Sequence, residues 1–371
     1  MRALEPTAEQ EELRAAVRAV LDRHPGHAAW APLTAQVGTA ALAVPEEYGG
    51  LGCGSAEVAV VMAELGRALS PVPYLGSAVL TVRALLAAGD REACARHLPG
   101  LADGSVVGAL AWAEEGGWEA PALAARAERA GRAGRTGPAE RAEPSATGAG
   151  GWLLSGTKRY VLAGPVEPSL LLAFARTPEG RLGLFELTAP CAAFTVRSAM
   201  DRTRPLAELT MDRTPARLLS PDGAAVLARV RDLACTALAA EQAGAAARAL
   251  ETTVRYAKER VQFGRPIGSF QAVKHRLADM YTAVEGARSL ALAAAAADAA
   301  PAPAAAAKSA CSEAFAYVAG EMIQLHGGIG ITWEHEAHEF FKRAHGSAML
   351  FGSPAAHRER LASHLGFLPA G

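Results

Sequence analysis

Two stretches of this chain have residue types and spacing that could do chemistry. The first is YAKERVQFGRPIGSFQAVKHRLADM, Tyr256 to Met280, where a helical run carrying Lys258 and Arg260 meets the Gly/Pro-punctuated turn FGRPIG. A new helix is expected to begin near Ser269. A fixed guanidinium beside exposed backbone at a helix start suits a phosphate. A helix–helix corner with solvated charges accounts for the same residues. The second is QLHGGIGITWEHEAHEFFKRA, Gln324 to Ala344, in which GGIG interrupts an apolar helix. Glycines let a ligand lie against backbone. The motif is not GxGxxG and follows no strand, so the dinucleotide fingerprint does not apply. His335 and His338 are three apart, but HEAH is not HExxH and no third ligand is evident, so an amphipathic helix face is expected and no metal. A third stretch, AMLFGSPAAHRERL (Ala348 to Leu361), stands out for the opposite reason: it is a tight corner between two helical patterns and holds no group suited to chemistry.

The elements that must position these residues follow from periodicity. Up to about residue 105 the chain reads as helices. Thr7 is an N-cap with Glu9 and Glu11 in the first turn, and Leu13, Val17, Val20 and Leu21 recur at helical spacing. From 107 to about 218, GWLLSGTKRYVLAG, LLLAFAR, LGLFELT, AAFTVRS and AELTMD are short β-type runs separated by Gly, Pro and Asp. Between them the low-complexity, polar segment within 121–150 is expected to be a mobile surface loop. From Asp222 the pattern is helical again, with Leu233, Ala237, Ala240, Gly244, Ala247, Glu251 and Val254 along one face, mostly small residues that let helices approach closely. The order helices, strands, helices, without βαβ alternation, argues against a Rossmann domain.

Composition narrows the function classes. The 371 residues are 50% hydrophobic and few are aromatic, which favours close-packed helices. A formal net charge of −1 provides no field for nucleic acid or a membrane surface. Cys53, Cys94, Cys191, Cys235 and Cys311 are scattered with no CxxC pair, so neither a disulfide framework nor a zinc site is expected and a cytoplasmic setting is natural. The charged N-terminal segment is not a signal peptide, and the Ala-rich runs are too weakly hydrophobic to span a bilayer.

Taken together, the two late stretches resemble the acyl-CoA dehydrogenase family. The resemblance covers essentially the whole chain: VPEEYGGLG and AELGRALSPVP early, LSGTKRYV in the middle, RVQFGRPIGSFQ and LHGGIGITWEHEAHEFFKRA late. It implies an α+β, mainly α fold with an N-terminal α-helical domain (1–106), a β-barrel domain (107–220) and a C-terminal four-helix bundle (221–371). It also implies homotetramers or related assemblies with FAD at subunit contacts. By position, Arg260, Gln262 and Phe263 match residues that hold the FAD pyrophosphate and adenine side from a neighbouring subunit. Ile267, Phe270 and Gln271 match further adenine-side contacts, and Gln324, Gly327 and Gly328 match the other dinucleotide contact. The implied reaction is α,β-desaturation of an acyl thioester, in which a carboxylate removes the α-proton and the β-hydride passes to the flavin.

The reactive end departs from the family pattern. Many members carry the base as Glu in a Tyr-Glu-Gly-Thr turn; here that turn is Phe351-Gly352-Ser353-Pro354, with Gly352 in the Glu position. Members acting on branched or long acyl chains carry it on an earlier helix, and that position is Ala234. The nearest acid on that helix is Glu241, two turns on and displaced roughly 10 Å along the axis. It borders the small-residue stripe, where burial would raise its pKa toward that of a base. A structural hydrogen bond or ion pair would account for it equally, and Asp232 faces elsewhere. Tyr160 and Leu162 replace a Trp and a Thr near the flavin ring, and Ala113 replaces a Thr or Ser of the flavin-covering loop. Two readings follow: a dehydrogenase with Glu241 as a displaced base, or a non-catalytic subunit sharing FAD with a second acyl-CoA dehydrogenase-like chain in a heterotetramer. A related flavin enzyme acting on another substrate class is a third. The implied partners are an acyl-CoA or carrier-bound acyl thioester and, as oxidant, an electron-transfer flavoprotein or oxygen.

Overall fold

The structure is a computed structural model and describes residues 6–119, 121, 123–130, 151–162, 164, 167–188 and 193–367. The first region is built from α1 (Ala8–Arg23), α2 (Trp30–Ala35), α3 (Ser55–Arg67), a π-helical segment Leu75–Thr81 that runs into α4 (Val82–Ala88), and α5 (Arg91–Ala102). α1 starts where its capping residue dictates: the Thr7 hydroxyl accepts from the Gln10 amide, and the Gln10 side chain accepts from the Thr7 N–H.

The middle region holds β1 (Gly108–Ala111), β2 (Arg126–Arg129), β3 (Trp152–Val161), β4 (Leu170–Arg176), β5 (Leu182–Leu187), β6 (Ala193–Arg197) and β7 (Leu206–Ser220). Strands β4, β2, β3, β7 and β5 pair in turn, and β5 pairs back to β4, which closes a small barrel; β1 lies parallel to β4 and β6 hangs on β7. Trp152, Leu154, Phe185, Leu209 and Met211 fill its interior. β2 corrects an expectation, because it falls in the segment read as a loop from its polar composition. Its Ala127 points into the barrel core while Arg126, Glu128 and Arg129 face solvent, an alternation that one small apolar residue suffices to create once β3 is beside it. The remainder of that segment, 131–150, lies outside the described residues.

The last region contains α6 (Gly223–Glu259), a short hairpin of β8 (Val261–Gln262) and β9 (Arg265–Pro266), α7 (Gln271–Ala296), α8 (Pro301–His326), a 3-10 turn at Gly327–Ile331, α9 (Ala337–Met349) and α10 (Pro354–His364). The three long helices α6, α7 and α8 pack together around Met280, Val284, Phe315, Val318 and Met322. The fourth rod is made of two pieces, α9 and α10, joined at the Phe351-Gly352 corner. The small-residue stripe on α6 has a specific neighbour. A Cβ on Gly66 of α3 would lie 2.0 Å from the Glu241 carbonyl oxygen, and a Cβ on Gly244 would lie 2.0 Å from that of Ala63. Only glycine at both places lets α3 and α6 touch backbone to backbone. Among the described residues, no helix is long and apolar enough to cross a membrane.

Candidate active site

The residues matched to FAD divide between two ends of the molecule, and the first end is open. α6 stops at Glu259, and Arg260 leads into the β8–β9 hairpin, whose turn is Phe263 (φ 53°) and Gly264 (φ 74°). Both turn residues have positive φ, the geometry that joins two strands most tightly. Phe263 is consequently driven outward and is 91% exposed. Its ring meets Phe270 edge-on at 6.2 Å, and the Arg265 guanidinium lies 4.0 Å from the centre of the Phe270 ring. The Ile267 N–H donates to the Arg260 carbonyl at 2.8 Å, which holds the guanidinium-bearing residue against the start of α7. α7 begins at Gln271 with no side-chain cap, so its first-turn amides can meet an anion. Arg260, Gln262 and Gln271 are all exposed.

Gln324, Gly327 and Gly328 join the same end. Tyr256, in the last turn of α6, stacks on His326 at the end of α8, with ring centroids 4.3 Å apart, and its hydroxyl lies 3.4 Å from the His326 carbonyl oxygen. Gln324 is exposed. Gly327 has φ 62° and ψ −141°, a conformation essentially confined to glycine. A Cβ at Gly327 or Gly328 would meet nothing within 4 Å. Apart from the half-buried Ile267 and Phe270, the residues matched to the dinucleotide therefore face outward, with cation, amides and the Phe263 ring available to another molecule. His335 lies tilted against His326 and His338 lies against Trp333, so the two histidines do not converge. No group of three or more His, Cys, Asp or Glu side chains suited to a metal gathers among the described residues.

The second end is filled. At the corner between α9 and α10, Phe351 (φ 63°) and Gly352 (φ 111°) turn the chain, and Ser353 caps α10 by accepting from the Ala356 N–H at 3.2 Å. The position that carries Glu in many family members is thus a glycine whose Cβ would lie 3.0 Å from His357 Nε2. Two buried bases hold the corner. Lys308 Nζ donates to the Ala348 carbonyl (2.9 Å), the Gly352 carbonyl (3.2 Å) and Ser312 Oγ (3.0 Å). His357 Nε2 lies 3.0 Å from the Phe351 carbonyl oxygen and 3.6 Å from Cys235 Sγ. Burial pushes Lys308 down to about 8 and His357 down to about 4, the latter helped by the Lys308 charge. Ala234 is fully buried on α6.

Against that corner sits an aromatic cluster. Trp118 stacks on Tyr160 (centroids 5.7 Å, planes 26° apart) and meets Phe351 and Trp112 edge-on at 5.2 and 5.3 Å. Trp112 also packs on Phe351 at 5.2 Å and donates from Nε1 to the Trp118 carbonyl at 3.2 Å.

Glu241 is 4% exposed and points into a cluster of charges. Its Oε1 accepts from Arg204 Nη2 and, at 2.7 Å, from Arg343 Nη1. Arg343 in turn donates to Asp201 Oδ2 (2.8 Å), the Thr203 carbonyl (2.7 Å) and the Leu69 carbonyl (3.2 Å). The cluster ties the helical N-terminal region, the β6–β7 connection, α6 and α9 into one unit. Burial alone would raise the Asp201 pKa, but Arg343 and Arg204 outweigh it and hold the carboxyl below its usual range. The crevice beside Glu241, lined by Met62, Leu65, Pro71, Leu75 and Leu162, measures about 30 Å³, room for a water or two and not for an acyl chain. Asp232 is also engaged, by Arg360.

Tested against FAD, the two ends give opposite answers: the residues at the hairpin end fit a dinucleotide, and the described residues at the corner set the Trp118 indole against the Tyr160 ring that a flavin would meet. Sequence reasoning missed Trp118, Lys308 and His357. For Trp118 a signal existed, since a Trp five residues after Ala113 puts the largest side chain in a loop expected to cover a ligand. Lys308 and His357 carry no such mark.

Two family models match the chain: Acyl-CoA dehydrogenase, N-terminal domain, over residues 7–105 and Acyl-CoA dehydrogenase, C-terminal domain, over 222–366. The chain is similar to the acyl-CoA dehydrogenase IpdE2 of Mycobacterium tuberculosis, at 39% identity over 375 residues that cover 97% of this chain and 98% of the relative. Among solved structures it is similar to a variant of the Tcur3481-Tcur3483 steroid ACAD, with a TM-score of 0.80, 32% identity and coverage of 97% of this chain and 98% of that one. It is also similar to the ChsE4-ChsE5 complex of Mycobacterium tuberculosis, with a TM-score of 0.83, 28% identity and coverage of 99% and 100%.

Proposed function

The chain belongs to the acyl-CoA dehydrogenase family, and within it we propose that this chain is the non-catalytic, FAD-sharing subunit of a heteromeric acyl-CoA dehydrogenase. The observation that carries the reading is that, among the described residues, no usable carboxylate stands at the positions where family members carry their base. The two positions where family members carry Glu are Gly352 and Ala234. Glu241, the remaining candidate, accepts from two buried guanidiniums beside a crevice too small for substrate. A carboxylate held by two guanidiniums beside a space that admits no acyl chain is not placed to take a proton from a substrate carbon.

In this reading the chain's contribution is the hairpin end. Arg260 presents a permanent cation to a diphosphate, Gln262 and Gln271 present amides, and Phe263 and Phe270 present rings to the adenine side. Gln324, Gly327 and Gly328 let the same ligand approach backbone. A second acyl-CoA dehydrogenase-like chain supplies the ring pocket and the Glu that removes the α-proton. Bound flavin accepts the hydride and passes its electrons to a carrier such as an electron-transfer flavoprotein. The reaction of the pair is α,β-desaturation of an acyl thioester. The similarity to a steroid ACAD favours a bulky acyl group, and the similarity to a complex of two differently named chains favours a heteromer. The free thiols of Cys53, Cys94, Cys235 and Cys311 accord with a cytoplasmic setting.

The test is to purify the chain alone and together with a dehydrogenase-like partner that carries Glu. Acyl-CoAs of increasing bulk are added while flavin absorbance near ~450 nm is followed. Bleaching is expected for the pair only. It is expected to vanish with Glu→Gln in the partner and to persist with Glu241→Gln in this chain. A homo-oligomer of this chain that bleaches by itself, and stops doing so with Glu241→Gln, would overturn the proposal in favour of Glu241 as a displaced base.

A further inference from the structure

We infer that the indole of Trp118 takes the place of a planar ligand in this chain's own ring pocket and closes it. The inference rests on the reading above only for where the pair's flavin is anchored.

The residues that the family resemblance sets around a flavin ring are Ala113 and its loop, Tyr160 and the Phe351-Gly352 corner. In the structure these elements converge on one another with Trp118 between them. Its indole is stacked on the Tyr160 ring and flanked edge-on by Phe351 and Trp112, so three aromatic rings contact a fourth. Stacked and edge-to-face rings of this kind attract one another beyond the area they bury. A tricyclic ligand ring would have to lie against the same Tyr160 face and the same corner, so it and the indole exclude each other.

The loop carrying Trp118 is fastened at both ends. On one side Glu114 accepts from the Ala124 and Ala125 N–H groups (2.7 and 3.0 Å) and from Lys158 Nζ (2.5 Å). Lys158 is fully buried and pairs its ammonium with the Glu114 carboxylate. On the other side Glu119, next to the indole, accepts from Arg231 Nη1 of α6 at 2.7 Å. Arg231 is two residues before Leu233 and three before Ala234, so this ion pair ties the loop to the stretch of helix where other members carry their base. The indole and its tether thus cover the pocket from the loop side, while Lys308 and His357 hold the corner itself in place. The absence of a base and the absence of a ring slot then have separate structural causes, and restoring a carboxylate would not restore a site.

The pair of chains is therefore expected to hold one flavin, its ring in the partner and its dinucleotide end on Arg260 and Phe263 of this chain. Flavin released from the purified pair by denaturation is counted against protein, for wild type and for Arg260→Ala in this chain. One flavin per pair, lost with Arg260→Ala, is the expected result. Two per pair, halved by Arg260→Ala, would overturn the plug and leave the shared-subunit reading standing, because Trp118 would then swing aside for a second ring. One per pair that is indifferent to Arg260→Ala would place the flavin in this chain's own pocket and overturn both. A second measurement addresses the plug without flavin. Trp118→Gly should lower the melting temperature of the chain, and free indole at millimolar concentration should raise it again while leaving wild type unmoved. Should the variant not fold, the wild-type flavin count still decides; should it fold and ignore indole, the indole-filled slot is refuted.

Discussion

The hairpin end, matched to a neighbouring subunit's FAD, and the corner end, matched to this chain's own ring pocket, obey opposite rules of burial. At the hairpin, Arg260, Gln262, Phe263 and Gln271 are exposed, and the largest apolar side chain among them stands almost wholly in solvent. At the corner, Trp112, Lys308, Phe351 and His357 are buried, and their donors are turned onto carbonyls of the same chain. An exposed Phe at the tip of a tight hairpin gains nothing for an isolated chain, since its apolar surface remains in water. A buried Lys with only carbonyls and a hydroxyl for partners raises the free energy of the fold unless it holds something in place. The contrast teaches that surface open to another molecule and surface absorbed into the core can both carry residues matched to one kind of cofactor, and that burial distinguishes them.

If the charge cluster around Glu241 is structural, breaking it should unfold the protein before it changes any chemistry. Arg343→Leu leaves Glu241 and Asp201 buried with one guanidinium fewer between them, and a loss of about 3–5 kcal/mol in urea unfolding is expected. Glu241→Gln keeps the shape and should cost less, about 1–3 kcal/mol. Losses near zero for both would mean that the cluster is not what joins the three regions, and would reopen Glu241 to another role.

The next effect is a pH dependence. His357 is held neutral in the fold with a pKa of about 4, against an ordinary value of 6.5. Between those values the unfolded chain binds a proton that the folded chain does not, so stability falls as pH drops from 6.5 toward 4. The gap corresponds to about 3 kcal/mol when fully developed. Lys308 acts with the same sign at higher pH: with a folded value of about 8 against 10.5, the fold gains stability as pH rises between them. His357→Gln should flatten the acid limb of a melting-temperature profile; an unchanged limb would place the acid sensitivity elsewhere.

Third, Gly352→Glu restores the side chain found at this turn in many family members. The residue would have to adopt φ 111° with its Cβ 3.0 Å from His357 Nε2. A loss of about 1–3 kcal/mol is expected, with no gain of acyl-CoA-dependent bleaching in the chain alone. Activity gained by this one substitution would show that only the base was missing and that the ring pocket is open.

How far the sequence foretold these two ends depended on how local their causes are. The Thr7 cap, the start of α10 at Ser353-Pro354 and the FGRPIG turn are each decided within a few residues, and each was legible. The small-residue stripe on α6 announced a close helix contact, although its partner Gly66 on α3 could not be named from spacing. β2 was hidden because its strand character depends on β3, far along the chain, and a run such as ARAER has no β signal of its own. Glu241 was singled out correctly as a buried acid, but its partners lie 37 and 102 residues away, at Arg204 and Arg343, and no periodicity links them. The Trp118 cluster is tertiary in the same sense: four rings from three separated segments meet only once the chain has folded.

The smallest effect on stability belongs to the hairpin, and it bears most directly on the contrast. Phe263 is exposed on nearly all sides and touches little besides the edge of Phe270. Phe263→Ala in the isolated chain should therefore shift unfolding by less than about 0.5 kcal/mol. In the pair the same substitution removes a ring from the proposed adenine contact, and flavin retention should weaken by about tenfold, the scale of one lost aromatic anchor. Dialysis of the pair against increasing volumes, with flavin fluorescence read in the dialysate, measures this directly. A destabilised isolated chain would mean that Phe263 serves the fold, and unchanged retention would mean that the hairpin faces a different partner. A silent residue in the single chain that becomes costly in the pair is what separates a surface kept for another molecule from one that is merely uncovered.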